Sequence, residues 1–94
     1  MRNYESMIVL NPELSDQDKE KENQEIIDLI VKEQGELVKT DTWGKRKLAY
    51  DIEKHREGYY IINYFKLPPE RLLEIERHYK LSPNIIRYNL LNLD

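Results

Sequence analysis

The order of strand-like and helix-like segments constrains the fold of this chain more than any other feature. Strand-like segments are short and either alternate or are continuously apolar, whereas helix-like segments repeat apolar residues every three or four positions. The segments follow one another as strand 3–10, helix 16–34, strand 36–50, strand 59–67, a helix opened by Pro68-Pro69 and ended by Ser82-Pro83-Asn84, and strand 85–91. This βαββαβ order predicts an α+β, ferredoxin-like fold, in which a four-stranded antiparallel sheet carries both helices on one face.

Local signals predict where these segments start, end and bend. Ser15, followed three residues later by Asp18, predicts an N-terminal cap for the first helix. Gly35 predicts a left-handed residue that ends this helix, and Gly44 predicts a bend or bulge in the second strand. The run Tyr-Tyr-Ile-Ile-Asn-Tyr-Phe-Lys-Leu at 59–67 is the strongest strand signal in the chain, so we expect it to form a central strand.

Length and composition indicate one small domain that is stable through packing alone. A chain of 94 residues suits a single domain, residues 1–94, built from two packed layers. The absence of cysteine excludes disulfide bonds, thiolate zinc sites and a cysteine nucleophile, and it fits a reducing compartment. No apolar run approaches the length that spans a bilayer, and no apolar signal segment follows the N-terminus. We therefore expect a soluble, cytoplasmic protein that makes no membrane contact.

The distribution of charge is more informative than the net charge of −3. Residues 12–36 contain nine acidic and three basic side chains, a balance of −6, which leaves +3 for the rest of the chain. A nucleic acid responds to the local charge of a surface, and here an acidic first helix hides a modestly basic remainder. The net charge therefore does not exclude an RNA partner.

One face of the predicted sheet has no helix to cover it. The even positions of the first strand, from Tyr4 to Leu10, are expected to face the helices, as are Ile86, Tyr88 and Leu90 of the last strand. The open face would then present apolar and aromatic groups, which on a small soluble domain usually mark a binding surface. The residues predicted for this protein-binding face are Met7, Val9, Tyr59, Ile61 and Asn89. The alternative interpretation is that loops or the ends of the chain cover this face, or that its apolar residues are ordinary surface.

A run of basic residues follows the bend predicted in the second strand. In an extended strand Lys45 and Lys47 project to one side and Arg46 to the other, so a bend, or a ligand that wraps the strand edge, is needed to use all three. The residues predicted to contact RNA phosphates are Lys45, Arg46, Lys47, Lys54 and Arg56, with Arg2 and Arg87 joining them through the adjoining strands. Aromatic residues that suit either base stacking or burial lie nearby at Trp43, Tyr50 and Tyr59. The alternative is a charged edge strand whose lysines prevent aggregation.

The same segment resembles a known family. Gly44-Lys45-Arg46-Lys47-Leu48-Ala49-Tyr50-Asp51-Ile52 is similar to the signature segment of the bacterial ribosomal protein S6 family, in which a glycine, basic residues, Leu-Ala-Tyr and an isoleucine recur in this order. Four further segments also resemble members of this family: Met1-Arg2-Asn3-Tyr4-Glu5, Ile8-Val9-Leu10-Asn11-Pro12, Gly58-Tyr59-Tyr60 and Ile85-Ile86-Arg87. The resemblance covers essentially the whole chain.

The resemblance implies a ferredoxin-like, non-catalytic component of the small (30S) ribosomal subunit. Members of the family bind the central domain of 16S ribosomal RNA together with ribosomal protein S18, whose docking would account for the open sheet face. By position, Arg2, Arg46, Lys47 and Arg87 match family sites that tend to be basic, whereas Lys45, Lys54 and Arg56 rest on charge alone. The chain departs from the family pattern at Asn3, where many members have a second basic residue, and at Asp94, beyond which many members carry a C-terminal extension.

Three other classes of protein are less well supported. An RNA-recognition-motif domain that binds single strands shares the order of elements, but Tyr60 replaces a small residue of its third-strand signature and Ile61 an aromatic one. A ferredoxin-like regulatory or dimerisation domain requires only the fold and an open face. An enzyme is the least supported class, because His55 and His78 show no metal-ligand spacing and no nucleophile beside a base. We predict no metal, no cofactor and no small-molecule substrate.

Overall fold

The structure, a computed structural model, describes residues 1–94 and contains the predicted elements in the predicted order. The elements are β1 (Arg2–Leu10), α1 (Asp16–Lys32), β2 (Glu36–Ile52), β3 (His55–Leu67), a 3-10 turn (Pro69–Arg71), α2 (Leu72–Leu81) and β4 (Ile85–Asn92). All strand pairs are antiparallel, and the sheet order β2-β3-β1-β4 places β3 and β1 at the centre. The predicted ferredoxin-like topology is thus confirmed. Neither helix combines the length and the apolar character needed to cross a membrane.

The sequence signals for α1 are confirmed at its start and corrected at its end. The Ser15 hydroxyl accepts a hydrogen bond from the backbone N–H of Asp18 at 3.1 Å, as a capping residue does. At the other end the left-handed residue is Gln34, with a φ of 70°, rather than Gly35. Gly35 is needed for a different reason, since a β-carbon there would lie 2.5 Å from the carbonyl oxygen of Lys66. The glycine allows the chain that leaves α1 to pass close to β3.

The main core lies between the two helices and one face of the sheet. Its members are Tyr4, Ile8, Leu10, Ile26, Ile30, Ile61, Phe65, Leu67, Ile75 and Tyr79. Even positions of β1 contribute to this cluster, as predicted, and both α1 and α2 pack their apolar stripes on it. Both helices therefore cover the same face of the sheet, and the other face has no helix.

The alternation of β3 is the reverse of the prediction. Ile61 lies opposite Ile8 of β1, and Tyr59 lies opposite Leu10. Residues that are opposite one another in an antiparallel pair project to the same face, so Tyr59 and Ile61 face the helices. Ile61 belongs to the main core and Tyr59 packs against it. The placement of these two residues on the open, protein-binding face is therefore wrong.

The alternation of β4 is confirmed except at its first residues. Tyr88 and Leu90 pack against the main core as predicted. A register shift in the pairing with β1 makes Ile85, rather than Ile86, the first residue of β4 that packs there. Arg87 remains on the opposite side and is exposed.

A buried hydrogen bond in the main core predicts a specific loss of stability. The hydroxyl groups of Ser6 and Tyr79 bond to each other, and these residues are 0% and 2% exposed. Burial raises the pKa of Tyr79 above its usual range, while the Ser6 hydrogen bond acts in the opposite direction, so the phenol stays neutral. Tyr79→Phe leaves the Ser6 hydroxyl without its partner and is expected to lower the free energy of unfolding by about 1–2 kcal/mol.

Urea denaturation of the two proteins measures this loss. Tyr88→Phe is the matched control, because Tyr88 packs beside the same core and makes no side-chain hydrogen bond. We expect the control to change the free energy of unfolding by less than about 0.5 kcal/mol. Equal losses in the two variants would show that the Ser6 hydrogen bond contributes nothing specific.

Candidate nucleic-acid interface

The β2–β3 hairpin extends beyond the rest of the sheet. β1 ends at Leu10, whereas β2 and β3 continue past this point and pair only with each other until they reach a tight turn. The turn residues Glu53 and Lys54 have φ values of 50° and 70°, the left-handed conformation of a two-residue hairpin turn. We call residues 45–57 the hairpin tip. It contains the basic run on which the sequence analysis centred.

Six exposed cations gather at this end of the molecule, and we call them the basic cluster. Its members are Lys45, Arg46, Lys47, Lys54, Arg56 and Arg87. None of them lies within ion-pair distance of a carboxylate, whereas five of the other nine Lys and Arg residues do. The hairpin tip holds five of these cations and three acidic residues, so its net charge is +2 in a chain of net charge −3. The cluster is therefore a local, uncompensated positive surface.

Arg87 joins the basic cluster although it lies on β4, at the far edge of the sheet from β2. Its Nη1 donates a hydrogen bond of 3.0 Å to the hydroxyl of Tyr50 in the hairpin tip. The guanidinium carbon also lies 5.8 Å from the centre of the Tyr50 ring. In the sheet Arg87 is opposite Val9 of β1, on the face without helices. The hairpin tip therefore curls across the open face until it reaches β4.

The side chains of the basic run alternate as predicted. Arg46 lies opposite Gly58, on the open side of the hairpin, and Lys45 lies opposite Tyr59, on the helix side. Lys47 projects to the same side as Lys45, because side chains two residues apart share a face of a strand. A ligand that contacts the whole basic cluster must therefore wrap the β2 edge.

Arg2 lies at the other end of the sheet, so the prediction that it joins the basic residues is wrong. It begins β1, and Val9, the partner of Arg87, lies seven residues further along the strand. At about 3.3 Å per residue, roughly 23 Å separates the two arginines along the sheet. Arg2 lies instead near Asp94, whose pKa is lowered mainly by hydrogen bonds from the side chain and backbone of Asn3 and, to a smaller extent, by the charge of Arg2. Any RNA contact at Arg2 would be a separate one.

A second, smaller core lies on the open face. Val9, Leu48 and Ile62 are only 1%, 8% and 4% exposed, although no helix covers them. Val9 and Leu48 meet beside Gly58, where an added β-carbon would overlap Cγ1 of Val9 and lie 3.4 Å from Cδ2 of Leu48. Since Leu48 belongs to the hairpin tip, the chain itself covers Val9. Val9 is therefore unavailable to a partner, and its place in the predicted protein-binding face is wrong.

The rest of the open face stays accessible, but its composition differs from the prediction. Met7 and Asn89 lie opposite one another, and Tyr64 and Leu91 both lie opposite Glu5. We call Met7, Tyr64, Asn89 and Leu91 the exposed strip, in which Leu91 is 44% exposed. The sequence analysis missed Tyr64 because it assigned the wrong alternating set of β3 to this face, and it missed Leu91 because it followed β4 only as far as Asn89. The period of two that placed Asn89 also places Leu91.

Trp43 adds an exposed aromatic ring to the open face. It is the extra residue of a bulge between Thr42 and Gly44, and Gly44 has a φ of 79°. The Trp43 ring stacks on Tyr60 with centroids 6.4 Å apart and planes at 18°, yet Trp43 remains 45% exposed. The bend predicted at Gly44 is confirmed, and it turns an indole toward the open face.

The geometry of these surfaces suits binding. Unpaired cations contact phosphate groups, and exposed aromatic rings beside them stack on unpaired bases. An apolar strip on an otherwise polar surface suits a protein partner. The basic cluster borders the exposed strip through Arg87 and Asn89 on β4, so RNA and protein would meet side by side.

Comparisons of sequence and structure agree on one family. A model of the family described as Ribosomal protein S6 matches residues 3–92. The small ribosomal subunit protein bS6 of Caldanaerobacter subterraneus is 40% identical over 94 residues, which cover 100% of this chain and 99% of that protein. The bS6 protein of Clostridium novyi is 39% identical over 92 residues, which cover 98% of this chain and 97% of that protein. The crystal structure of 30S ribosomal protein S6 from Thermotoga maritima superimposes with a TM-score of 0.93 at 33% identity, over 97% of this chain and 86% of that chain.

Proposed function

The chain belongs to the ribosomal protein S6 family, and from this premise we propose that it binds the central domain of 16S ribosomal RNA together with ribosomal protein S18. Members of this family are structural, non-enzymatic components of the small ribosomal subunit. The protein therefore works on the ribosome, in the cytoplasm. The observation that carries the RNA part of the proposal is the basic cluster.

The basic cluster supports RNA binding because its charges are not neutralised within the protein. Arg46 and Arg87 are exposed on the open side, Lys47 lies at the β2 edge, and none is paired with a carboxylate. Side chains of this kind contact phosphates and position an RNA without reading its sequence. Lys45, Lys54 and Arg56 extend the same surface around the hairpin tip. Trp43 offers an exposed ring on which an unpaired base can stack.

The exposed strip supports a protein partner. Leu91 and Met7 are apolar groups on a sheet face that no helix covers, and the hairpin tip leaves this part of the face accessible. Ribosomal protein S18 is the partner that family membership indicates. Docked there, it would lie beside Arg87 and would present its own surface to the same RNA.

The charge balance explains why two proteins are needed. Each phosphate contact adds a roughly constant increment to the salt dependence of binding, and the basic cluster has few contacts to offer. The acidic α1 adds repulsion from RNA at longer range in a chain of net charge −3. We therefore expect weak RNA binding by the protein alone and strong binding when a partner adds further contacts.

Leu91→Glu tests the proposed docking surface. The substitution places a carboxylate in the apolar exposed strip and is expected to weaken S18 binding at least about tenfold. Calorimetric titration with S18 measures the affinity, and circular dichroism checks that the variant is folded. Leu73→Glu is the matched control, because Leu73 is 73% exposed on α2, away from the open face, and the charge change is the same. The docking proposal is contradicted if Leu91→Glu binds S18 as tightly as the control does.

A further inference from the structure

A buried carboxylate joins the two helices on the side of the molecule that the proposed function does not use. Glu22 of α1 is 3% exposed, and its Oε2 lies 2.9 Å from Nε2 of His78 on α2. Its Oε1 accepts hydrogen bonds from the Ser82 hydroxyl at 2.7 Å and from the Asn84 side-chain amide at 3.1 Å. Burial alone raises the pKa of Glu22, but the hydrogen bonds from Ser82, His78 and Asn84 outweigh burial and lower it. The carboxylate is thus charged and held in one orientation.

A third metal-binding side chain lies next to this pair. Glu25 is one helical turn after Glu22, so both carboxylates project from the same face of α1. One oxygen of each carboxylate and one ring nitrogen of His78 all lie within 4.8 Å of one another. The Glu25 side chain is exposed and makes no hydrogen bond or ion pair, so it is free to turn toward the other two.

The surroundings of these three groups favour a cation. They line one end of a cleft of about 420 Å³ between the helices. The other charged residues of the cleft are Glu74 and Arg77, so three carboxylates face one guanidinium. A divalent ion would therefore enter a site of net negative charge that is open to solvent.

We propose that Glu22, Glu25 and His78 bind a divalent transition-metal ion of the zinc type. An imidazole nitrogen and two carboxylate oxygens, with water in the fourth position, form a three-ligand tetrahedral zinc site. Ligand atoms in such a site lie about 3.3 Å apart when each bond is about 2.0–2.1 Å long. The nitrogen of His78 and the oxygen of Glu22 are near this spacing already, so only Glu25 has to move substantially.

The hydrogen bonds around Glu22 fit this role. Ser82 and Asn84 both bind Oε1, which leaves Oε2, the atom beside His78, for the ion. Partners of this kind orient a ligating carboxylate and raise metal affinity. The ion takes the place of the proton between His78 and Glu22, and that proton leaves to solvent. The nitrogen ligand favours zinc over magnesium or calcium, which prefer oxygen ligands.

Metal binding at this site would stabilise the fold. Glu22 and His78 are 56 residues apart in the sequence, so the three ligands come together only in the folded chain. A ligand that binds the folded state and not the unfolded state raises the melting temperature as its concentration increases. The ion would fasten α1 to α2 and is independent of RNA binding.

Thermal melts of the full chain with added ZnCl₂ test the proposal. At a zinc concentration about a hundredfold above Kd we expect Tm to rise by at least about 5 °C, while the same concentration of MgCl₂ leaves Tm unchanged. Glu25→Gln and His78→Gln should each abolish the rise. Glu25→Gln is the more informative variant, because an exposed side chain without hydrogen bonds is dispensable for folding.

His55→Gln is the matched control, because His55 is the only other histidine and lies at the hairpin turn. The proposal is supported if the zinc-dependent rise is kept in His55→Gln and lost in both other variants. It is overturned if zinc does not raise Tm of the natural chain, if Glu25→Gln keeps the full rise, or if magnesium raises Tm equally.

Discussion

Replacing Arg46, Lys47 and Arg87 together by alanine is expected to lower the affinity of the protein for central-domain RNA, measured with S18 present, about a hundredfold. A hydrogen bond to a charged group contributes on the order of 1 kcal/mol or more, so three contacts correspond to about two powers of ten in affinity. The fold should survive, because all three side chains are exposed and none forms an ion pair.

The salt dependence of binding separates phosphate contacts from other effects. Removing three contacts should lower the slope of log affinity against log salt concentration by roughly 2–3. Lys21→Ala, Lys32→Ala and Lys80→Ala, combined in one control variant, remove the same charge from the two helices. Calorimetric titration at several salt concentrations gives both quantities. An equal loss of affinity in the control would mean that total charge, and not the basic cluster, binds the RNA.

Gly58→Ala is expected to lower the free energy of unfolding by about 2–3 kcal/mol. The β-carbon would overlap Cγ1 of Val9, and Val9 is 1% exposed beneath Leu48, so it has no space into which to move. Relief requires the hairpin tip to lift away from β1. That movement would also separate Tyr50 from Arg87 and disturb the basic cluster.

A double-mutant cycle in urea denaturation tests this explanation. In a Val9→Ala background the overlapping methyl group is absent, so Gly58→Ala should cost less than about 1 kcal/mol. Gly44→Ala is the control, because a β-carbon there meets nothing within 4 Å and its cost comes only from the φ of 79°. The cost of Gly44→Ala should be the same with Val9 or Ala at position 9. If the cost of Gly58→Ala is also unchanged by Val9→Ala, the close approach of the two residues is not its cause.

The sequence was sufficient to predict the topology, because periodicity distinguishes strands from helices when the apolar stripes are clear. The even positions of β1 were identified correctly, since Asn3 and Glu5 mark the odd side as polar at its start. In β3, however, Tyr59 and Ile61 on one side are matched by Tyr60 and Ile62 on the other. Alternation cannot choose between two apolar sides, and only the pairing of β3 with β1 decides which of them faces the helices.

The candidate site was predictable in its charges but not in its shape. The run at Lys45 to Lys47 is visible in any reading of the sequence, whereas the hydrogen bond between Tyr50 and Arg87 depends on how far the hairpin tip curls. Local patterns contain no information on that curl. The grouping of Glu22 with His78 is hidden for the same reason, because long separations in sequence leave no periodic signal.

Titration of central-domain 16S RNA with this protein, with S18, and with both together tests the central claim most directly. The account predicts weak, salt-sensitive binding by this protein alone, and at least about a hundredfold tighter binding by the two proteins together. Tight binding by this protein alone that resists salt, or binding that S18 leaves unchanged, would contradict the account.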